Sequence, residues 1–263
     1  MLKNSKGIKY FGILIILGVF ISLYISFQNF KENSVPIFEY HRVENINNTY
    51  TIKVKAFEKQ MKYLHSLNYK SISVKELAQE LKKKTPNLKN KMVLTFDDGY
   101  VDNLNQAAPI MNKYGYKGTI FVAIKFMAWP GYVTWQDLIS LQNKGWEIGS
   151  HSWNHLHLDK LNDNQLKKEL FDSKLFLETF IPNTFKEVDT FAYPNGIYNE
   201  KAIVALKKYG YIAAVSGNRG VNTNNTNLYK LNRINVYQAE NDLFKFKLKL
   251  KLAQFTSWIR SFS

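Results

Sequence analysis

Met92-Val93-Leu94-Thr95-Phe96-Asp97-Asp98-Gly99 is the stretch on which the rest of the chain can be read. An apolar, β-favouring run goes straight into two carboxylates and a glycine. Such a run, bounded by a turn signal, is the pattern of a strand buried on both faces. A helix-period stretch over Asn103–Tyr114 comes next, and Gly118–Ala123 reads as another buried strand. Strand, helix and strand in that order make a crossover unit, whose two strands lie parallel in one sheet.

The alternation continues in both directions. Upstream, Ile37–Tyr40 reads as a strand, Val54–Leu67 as a helix with Phe57, Met61 and Leu64 on one stripe, and Ser73–Leu81 as a second helix. Downstream, helices are expected over Thr134–Lys144, Asn162–Phe180 and Tyr198–Tyr209, and strands over Trp146–Gly149, Thr190–Tyr193 and Tyr211–Ser216. Thr134 and Asp137 have capping-box spacing, and Asn162 suits an N-cap. Asn218–Asn227 is a polar loop. The series predicts an α/β fold. With fewer than about 250 residues available, a distorted or incomplete (β/α) barrel is expected rather than a full eightfold one.

Composition narrows the classes. The chain has 263 residues, 45% hydrophobic and 22% charged, which excludes a disordered or collagen-like chain. It has no cysteine, so disulfide frameworks, thiolate metal sites and cysteine nucleophiles are excluded. The net charge is +15. Residues 1–30 carry Lys3, Lys6 and Lys9 without an acid, and residues 245–260 carry Lys245, Lys247, Lys249, Lys251 and Arg260 without an acid. Setting these eight aside leaves 28 basic against 21 acidic residues, so about half the excess lies near the two termini.

Tyr10–Phe30 has no charged residue, and Phe11–Phe27 is almost wholly apolar. At about 1.5 Å per residue the run nearly spans a hydrocarbon core of about 30 Å. The lysines before it agree with a cytoplasmic N-terminus. Tyr24-Ile25-Ser26-Phe27-Gln28 is a poor cleavage site, which favours an uncleaved anchor over a removed signal peptide. Both readings put the remainder outside the membrane, where nucleic acid is not an expected partner. The expected division is an anchor over residues 1–30, a catalytic domain over 31–240 and a basic segment over 241–263. Within the last, Phe244–Leu252 alternates apolar residues with Lys, as an edge strand would. A basic helix on a membrane or wall, and a solvated terminal element, are the other readings.

Polar clusters stand after four of the strands: His41, Asp97 with Asp98, His151 with His155, and Pro194-Asn195-Gly196. In parallel α/β folds the C-terminal strand ends converge on one face, where sites are built. Two imidazoles and a carboxylate with open positions make a catalytic site for Zn²⁺, Co²⁺, Ni²⁺ or Fe²⁺. Adjacent Asp97 and Asp98 point different ways, so one can bind metal while the other remains free as a base. An isolated H-x-x-x-H is usually a surface pair and an isolated D-D-G usually a turn. Their joint placement is what carries weight.

Thr95-Phe96-Asp97-Asp98-Gly99, His151-Ser152-Trp153-Asn154-His155 and Tyr193-Pro194-Asn195-Gly196 resemble, in order and spacing, the first three motifs of the polysaccharide deacetylases. These are carbohydrate esterase family four, with the NodB-homology domain, and the resemblance covers about Val35 to Tyr237. It implies a NodB-like barrel, a divalent metal on Asp98, His151 and His155, Asp97 as general base, and the backbone N–H of Asn195 as an oxyanion donor. Most members supply the catalytic acid from a late His, but no His lies beyond His157 here. Ile37-Phe38-Glu39-Tyr40-His41-Arg42-Val43 is similar to the Y-H-R segment of the biofilm poly-β-1,6-N-acetylglucosamine deacetylases, where the order is permuted and the acid comes first. That likeness implies His41 as the acid. Ala192 stands where the third motif usually has Arg, and Arg233 is the candidate substitute that would orient Asp97.

Trp129, Trp135 and Trp153 are candidates for stacking on sugar rings, Trp153 first because it lies inside the metal motif. His65 reads as a surface residue and His157 as a loop residue near the metal pair. The expected function is metal-dependent removal of N-acetyl groups from an extracellular N-acetylglucosamine polymer, with poly-β-1,6-N-acetyl-D-glucosamine favoured by the Y-H-R segment. The alternatives are a peptidoglycan or chito-oligosaccharide deacetylase, an O-acetyl esterase, and an inactive membrane-tethered polysaccharide-binding protein. The expected location is the cell membrane, single-pass with the catalytic part outside, or secreted and wall-associated if the leader is cleaved.

Overall fold

A computed structural model describes residues 5–180 and 187–262. Its strands are β1 (Ile37–Tyr40), β2 (Arg42–Val43), β3 (Thr51–Ile52), β4 (Lys70–Ser71), β5 (Lys91–Phe96), β6 (Thr119–Val122), β7 (Glu147–Ser150), β8 (Thr190–Ala192), β9 (Ala213–Arg219) and β10 (Leu231–Asn235). Helices are α1 (Ser5–Glu32), α2 (Val54–Ser66), α3 (Val74–Leu81), α4 (Ala108–Asn112), α5 (Trp135–Asn143), α6 (Asp163–Lys167), α7 (Ser173–Phe180), α8 (Glu200–Lys208) and α9 (Leu243–Arg260). Parallel pairing runs β1-β10-β9-β8-β7-β6-β5, and β1 pairs again with β5, closing a seven-stranded barrel with β4 outside it. The expected distorted (β/α) barrel is thus formed by seven parallel strands.

Period-two alternation sorts the strand residues. Val93 of β5 and Ile37 of β1 point inward, where they pack with Phe121, Ala192, Val215 and Leu231. Phe38, Met92, Leu94 and Phe96 point outward under the helices. Val74, Leu77, Ala78 and Leu81 of α3 pack with the interior set, so α3 plugs the barrel. Its first residues are bonded to β6 and β7 at their starts: Val74 N–H donates to Thr119 Oγ1 and Lys75 N–H to Glu147 Oε2. The plug therefore closes the N-terminal ends of the strands and leaves the C-terminal ends open. The capping boxes of α3 (Ser73 with Glu76) and α5 (Thr134 with Asp137) are both formed.

Two expectations change. Phe244–Leu252 is not an edge strand but part of the 18-residue helix α9. The closed barrel offers it no edge to join. Beyond Leu252 the chain extends a helical row, Phe246, Leu250, Gln254 and Trp258, buried on the barrel. Phe246 stacks on Phe38 with ring centroids 5.4 Å apart, and burying one such side chain stabilises by roughly 1.5–3 kcal/mol. The other difference is an added element: no strand is expected after the Asn218–Asn227 loop, and β10 forms there, its apolar Leu231 and Ile234 separated by Asn232 and Arg233.

Within α1, Ile13–Glu32 is long and apolar enough to cross a membrane or to serve as a signal, with a mean hydropathy of 2.0. Lys3 lies outside the described residues. The end of α1 docks on α9: Phe27 meets Trp258 at 5.3 Å between centroids, and Trp258 Nε1 donates to Ser26 Oγ.

Candidate active site

The open end of the barrel gathers the expected polar residues. On β5 the inward row 93, 95 continues to Asp97, which is buried with its N–H bonded to Tyr40 O at 2.9 Å. Asp98 then turns the chain through φ +73°, followed by Gly99 at φ +84°. Left-handed backbone at an aspartate is uncommon, and here it swings the second carboxylate across the mouth. Asp98 Oδ1 lies 3.5 Å from His151 Nε2 and 3.4 Å from His155 Nε2.

The two imidazoles do not come from a helix. After β7 the chain runs as a loop in which Ser152 (φ +71°) and His155 (φ +59°) are both left-handed. Ser152 Oγ accepts from His155 N–H at 2.9 Å, closing the turn. Buried Glu169 holds it from outside, accepting from Asn154 N–H (2.7 Å) and Asn154 Nδ2 (2.6 Å). Glu169 lies in a π-helical turn, Lys168–Asp172, between α6 and α7. Such wide turns recur at functional sites. His151 Nδ1 lies 2.8 Å from Ala192 O. Its Nε2 faces Asp98 and His155, and although burial pulls the His151 imidazole down, the Asp98 hydrogen bond and then Asp97 outweigh it and hold it above its ordinary value.

A second set adjoins the first. One donor atom each from Glu39, His41 and Asp97 lies within 4.8 Å of the others. Arg233 crosses the barrel interior to them: Nη1 donates to Asp97 Oδ1 at 2.8 Å, and Nε donates to Ser216 O at 3.0 Å and lies 3.0 Å from Glu39 Oε2. Its side chain is 2% exposed, and those of Glu39 and Asp97 are 5% and 3%. The pairing of β10 with β9 shifts register between Leu231 and Arg233. Irregularities of this kind re-aim a side chain next to a site.

His41 leaves β1 at the rim. Asn103 Nδ2 donates to His41 O, Val43 N–H to Asp102 Oδ1, and Arg42 pairs with Asp102 and Glu44. Asn103 opens another π-helical turn, Asn103–Ala107. The His41 ring lies beside Tyr50, centroids 5.0 Å apart, and its Nδ1 is buried without a hydrogen-bond partner among the described residues.

These neighbours set the charges. Burial pushes the Asp97 carboxyl up, but Arg233, then His151 and His41, outweigh it and hold it below its ordinary value. Burial also raises Asp98, yet the hydrogen bond and charge of His151, with His41 and His155, bring it down to about 2. His155 is lowered to about 4, by burial first and the neighbouring His151 second. Both carboxylates are ionised at neutral pH and His155 is neutral, the states in which such groups bind cations.

Known proteins resemble this chain over most of its length. A family profile described as polysaccharide deacetylase matches residues 84–214. YxkH of Bacillus subtilis, named as a candidate polysaccharide deacetylase, is 33% identical over 207 residues, covering 78% of this chain and 72% of its own length. The chain belongs to the polysaccharide deacetylase family. The poly-beta-1,6-N-acetyl-D-glucosamine N-deacetylase of Staphylococcus aureus is 26% identical over 246 residues, 84% of this chain and 83% of that one. The Streptococcus pyogenes deacetylase PplD, solved with acetate, superposes with a TM-score of 0.73 at 25% identity, covering 80% of this chain and 97% of its own.

Asp97, Asp98, His151, His155, His41 and Arg233 are brought together at the mouth. Asn195 stands at its rim, exposed, with φ +57° and its Nδ2 3.3 Å from His157 Nε2. The next residue, Gly196, has φ +70° and lies so close to Gly217 that a Cβ would come within 2.5 Å of the Gly217 Cα. Trp153 is placed elsewhere than expected: its ring packs on Phe176 of α7, with Lys168 Nζ 6.0 Å from the ring centroid. Trp129 is half exposed and packs edge-on against Phe126, whose ring lies 6.0 Å from His155. Tyr100 and Tyr132 continue this aromatic wall. Glu169, Asp102 and Asn103 escaped sequence reasoning. Each lies in or beside a π-helical turn, and nothing in composition marks such a turn.

Proposed function

We propose that this chain removes N-acetyl groups from an N-acetylglucosamine polymer outside the cell, with poly-β-1,6-N-acetyl-D-glucosamine as the substrate. The observation that carries the proposal is the convergence, at one barrel mouth, of an Asp-His-His cation site with a separate arginine-held aspartate and an early histidine. The substrate of the Staphylococcus aureus relative and the Y-H-R segment at Tyr40-His41-Arg42 support the linkage.

Asp98 Oδ1, His151 Nε2 and His155 Nε2 suit a divalent cation such as Zn²⁺, Co²⁺, Ni²⁺ or Fe²⁺. They offer one hard and two borderline donors on one side, and the Ala192 carbonyl fixes the His151 tautomer. Once bound, such an ion polarises the acyl oxygen and makes water a stronger acid. Asp97 receives Arg233 on Oδ1, which leaves its other oxygen to take the proton from the attacking water. Arg233 keeps that carboxylate ionised and oriented, and the contact of its Nε with Glu39 Oε2 holds the guanidinium in place. His41 donates a proton to the departing amine, because an amide nitrogen leaves poorly as an anion. The N–H of Asn195 stabilises the developing oxyanion. The Trp129–Phe126 wall, rather than Trp153, offers a face to a sugar ring. The products are acetate and a glucosamine unit. The proposed arrangement in the cell is a single-pass anchor through α1 with the barrel outside.

Acetate release from β-1,6-linked N-acetylglucosamine oligomers, with added divalent ion, tests the reading against β-1,4-linked oligomers and O-acetyl esters. Faster release from the β-1,6 series, abolished by chelation, is expected. No release from any of them, with the ion shown to be bound, would leave a polysaccharide-binding protein instead. For the acid, His41→Ala activity within twofold of wild type rules out the assigned role.

A further inference from the structure

Helix α9 has two apolar faces, and the barrel uses only one. Phe246, Leu250, Gln254 and Trp258 are buried against it. Phe244 (70% exposed), Leu248 (44%), Leu252 (51%), Phe255 (47%) and Ile259 (49%) face away. At 3.6 residues per turn these five fall within a sector of about 80°, nearly opposite the buried row. Lys251 flanks this stripe on one side and Lys245 on the other, both exposed, and the helix carries no acid. An apolar stripe between lysines is the pattern of a helix lying in a bilayer interface, with chains below and anionic headgroups beside it.

The stripe is also continuous with α1. Phe255 packs edge-on against Phe27 with ring centroids 6.1 Å apart, at the foot of the apolar segment Ile13–Glu32. We propose that α9 docks the barrel flat onto an anionic phospholipid surface, through Phe244, Leu248, Leu252, Phe255 and Ile259, with Lys245 and Lys251 against lipid phosphates. This rests on reading α1 as a membrane span. A second copy of the chain is the weaker occupant, since two such helices would bring lysine rows together with no acid on either to offset them.

The docking has a consequence for the site. Helix α9 starts at the barrel mouth, where Lys249 Nζ reaches Asn235 O at the end of β10. It ends at the base, where Ser257 Oγ accepts from Val221 N–H beside the Val35–Asn222 bridge. It therefore runs the length of the barrel, antiparallel to the strands. Laid on a bilayer, it turns the barrel axis along the surface. The mouth then opens sideways, just above the headgroups.

The test uses the full chain in vesicles of phosphatidylglycerol and phosphatidylcholine. Because the chain has no cysteine, single labels can be placed cleanly. Environment-sensitive probes go at Leu248→Cys in the stripe, Gly18→Cys in α1, where a side chain meets nothing, and Val204→Cys, exposed on α8. Doxyl-lipid quenching of the probes at 248 and 18, but not 204, is expected. Adding Lys245→Glu and Lys251→Glu should cut quenching at 248 by at least half, as should replacing phosphatidylglycerol with phosphatidylcholine. Quenching at 18 without quenching at 248 overturns the docking and leaves the anchor standing. Concentration-dependent self-quenching at 248, without lipid quenching, assigns the stripe to a second copy and equally overturns it. Absence of quenching at 18 refutes the anchor alone if 248 is quenched, and both readings if it is not.

Discussion

The two ends of the barrel both collect charge, and they treat it in opposite ways. At the base, Glu147 accepts from Thr119 Oγ1 (2.8 Å), Thr190 Oγ1 (2.5 Å) and Lys75 N–H (3.1 Å). Lys75 meets Asp189 and Glu187, and Lys174 meets Glu178 and Asp189. Carboxylate and ammonium alternate there. At the mouth, Asp98 Oδ1, His151 Nε2 and His155 Nε2 face one another, and Asp98, Ser152 and His155 all have positive φ. The base satisfies its charges internally and serves stability. The mouth leaves donors converging on a shared centre, where the cation of the proposed function is assigned.

The largest effects are expected at the two adjacent aspartates. Asp97→Asn should lower kcat by about 10³-fold or more, a general-base loss, with ion content unchanged by elemental analysis. Asp98→Asn should lose the ion itself, and a swap of these phenotypes would reverse the assignment. Next in size is Arg233→Met, which leaves Asp97 and Glu39 as buried anions without their counter-charge. A loss of about 3–5 kcal/mol in urea unfolding is expected. In the surviving enzyme the acid limb of the pH–rate profile should move to higher pH, because Arg233 is the main group depressing Asp97. An unmoved limb would mean that Arg233 only fills space.

Glu169→Gln sharpens the contrast from outside the donor set. It keeps the size but leaves one oxygen to accept from Asn154, so the metal loop loosens and divalent-ion affinity should fall about tenfold, as calorimetric titration would read. The smallest effect belongs to the base. Burial raises the Glu147 carboxyl above its ordinary value despite its hydrogen-bond donors. The folded state thus holds that proton more tightly than the unfolded one. This contribution is full below the unfolded pKa, about 4.3, and is lost as pH rises through the folded value. Glu147→Gln should flatten that decline between mildly acidic and neutral pH. It should shift stability at pH 7 by about 1 kcal/mol or less, and a change in ion binding would contradict the separation of the two ends.

Much of the fold is legible in the chain. Buried strands announce themselves as apolar runs, so β1, β5, β6, β7 and β8 lie within a residue or two of where the pattern puts them. The polar groups after them are where a parallel barrel must present its site. β10 is hidden, because the residue that matters most in it is an inward-facing arginine, and hydropathy reads a buried ion as surface. Helix α9 is ambiguous, because the alternating Lys and apolar side chains of Phe244–Leu252 satisfy a period of two and, once Gln254 and Trp258 are added, a spacing of four as well.

The parallel α/β class, the apolar N-terminal helix and the residue types of the site are readable without coordinates, since each is written in local pattern and strand-end chemistry. Folding turns Arg233 from a candidate partner into the residue that meets Asp97 across the barrel, packs Trp153 on Phe176, and sets Glu169 against the histidine loop. These are contacts between segments 15 to 136 residues apart. No local pattern encodes them, because they exist only once the ring of strands has closed.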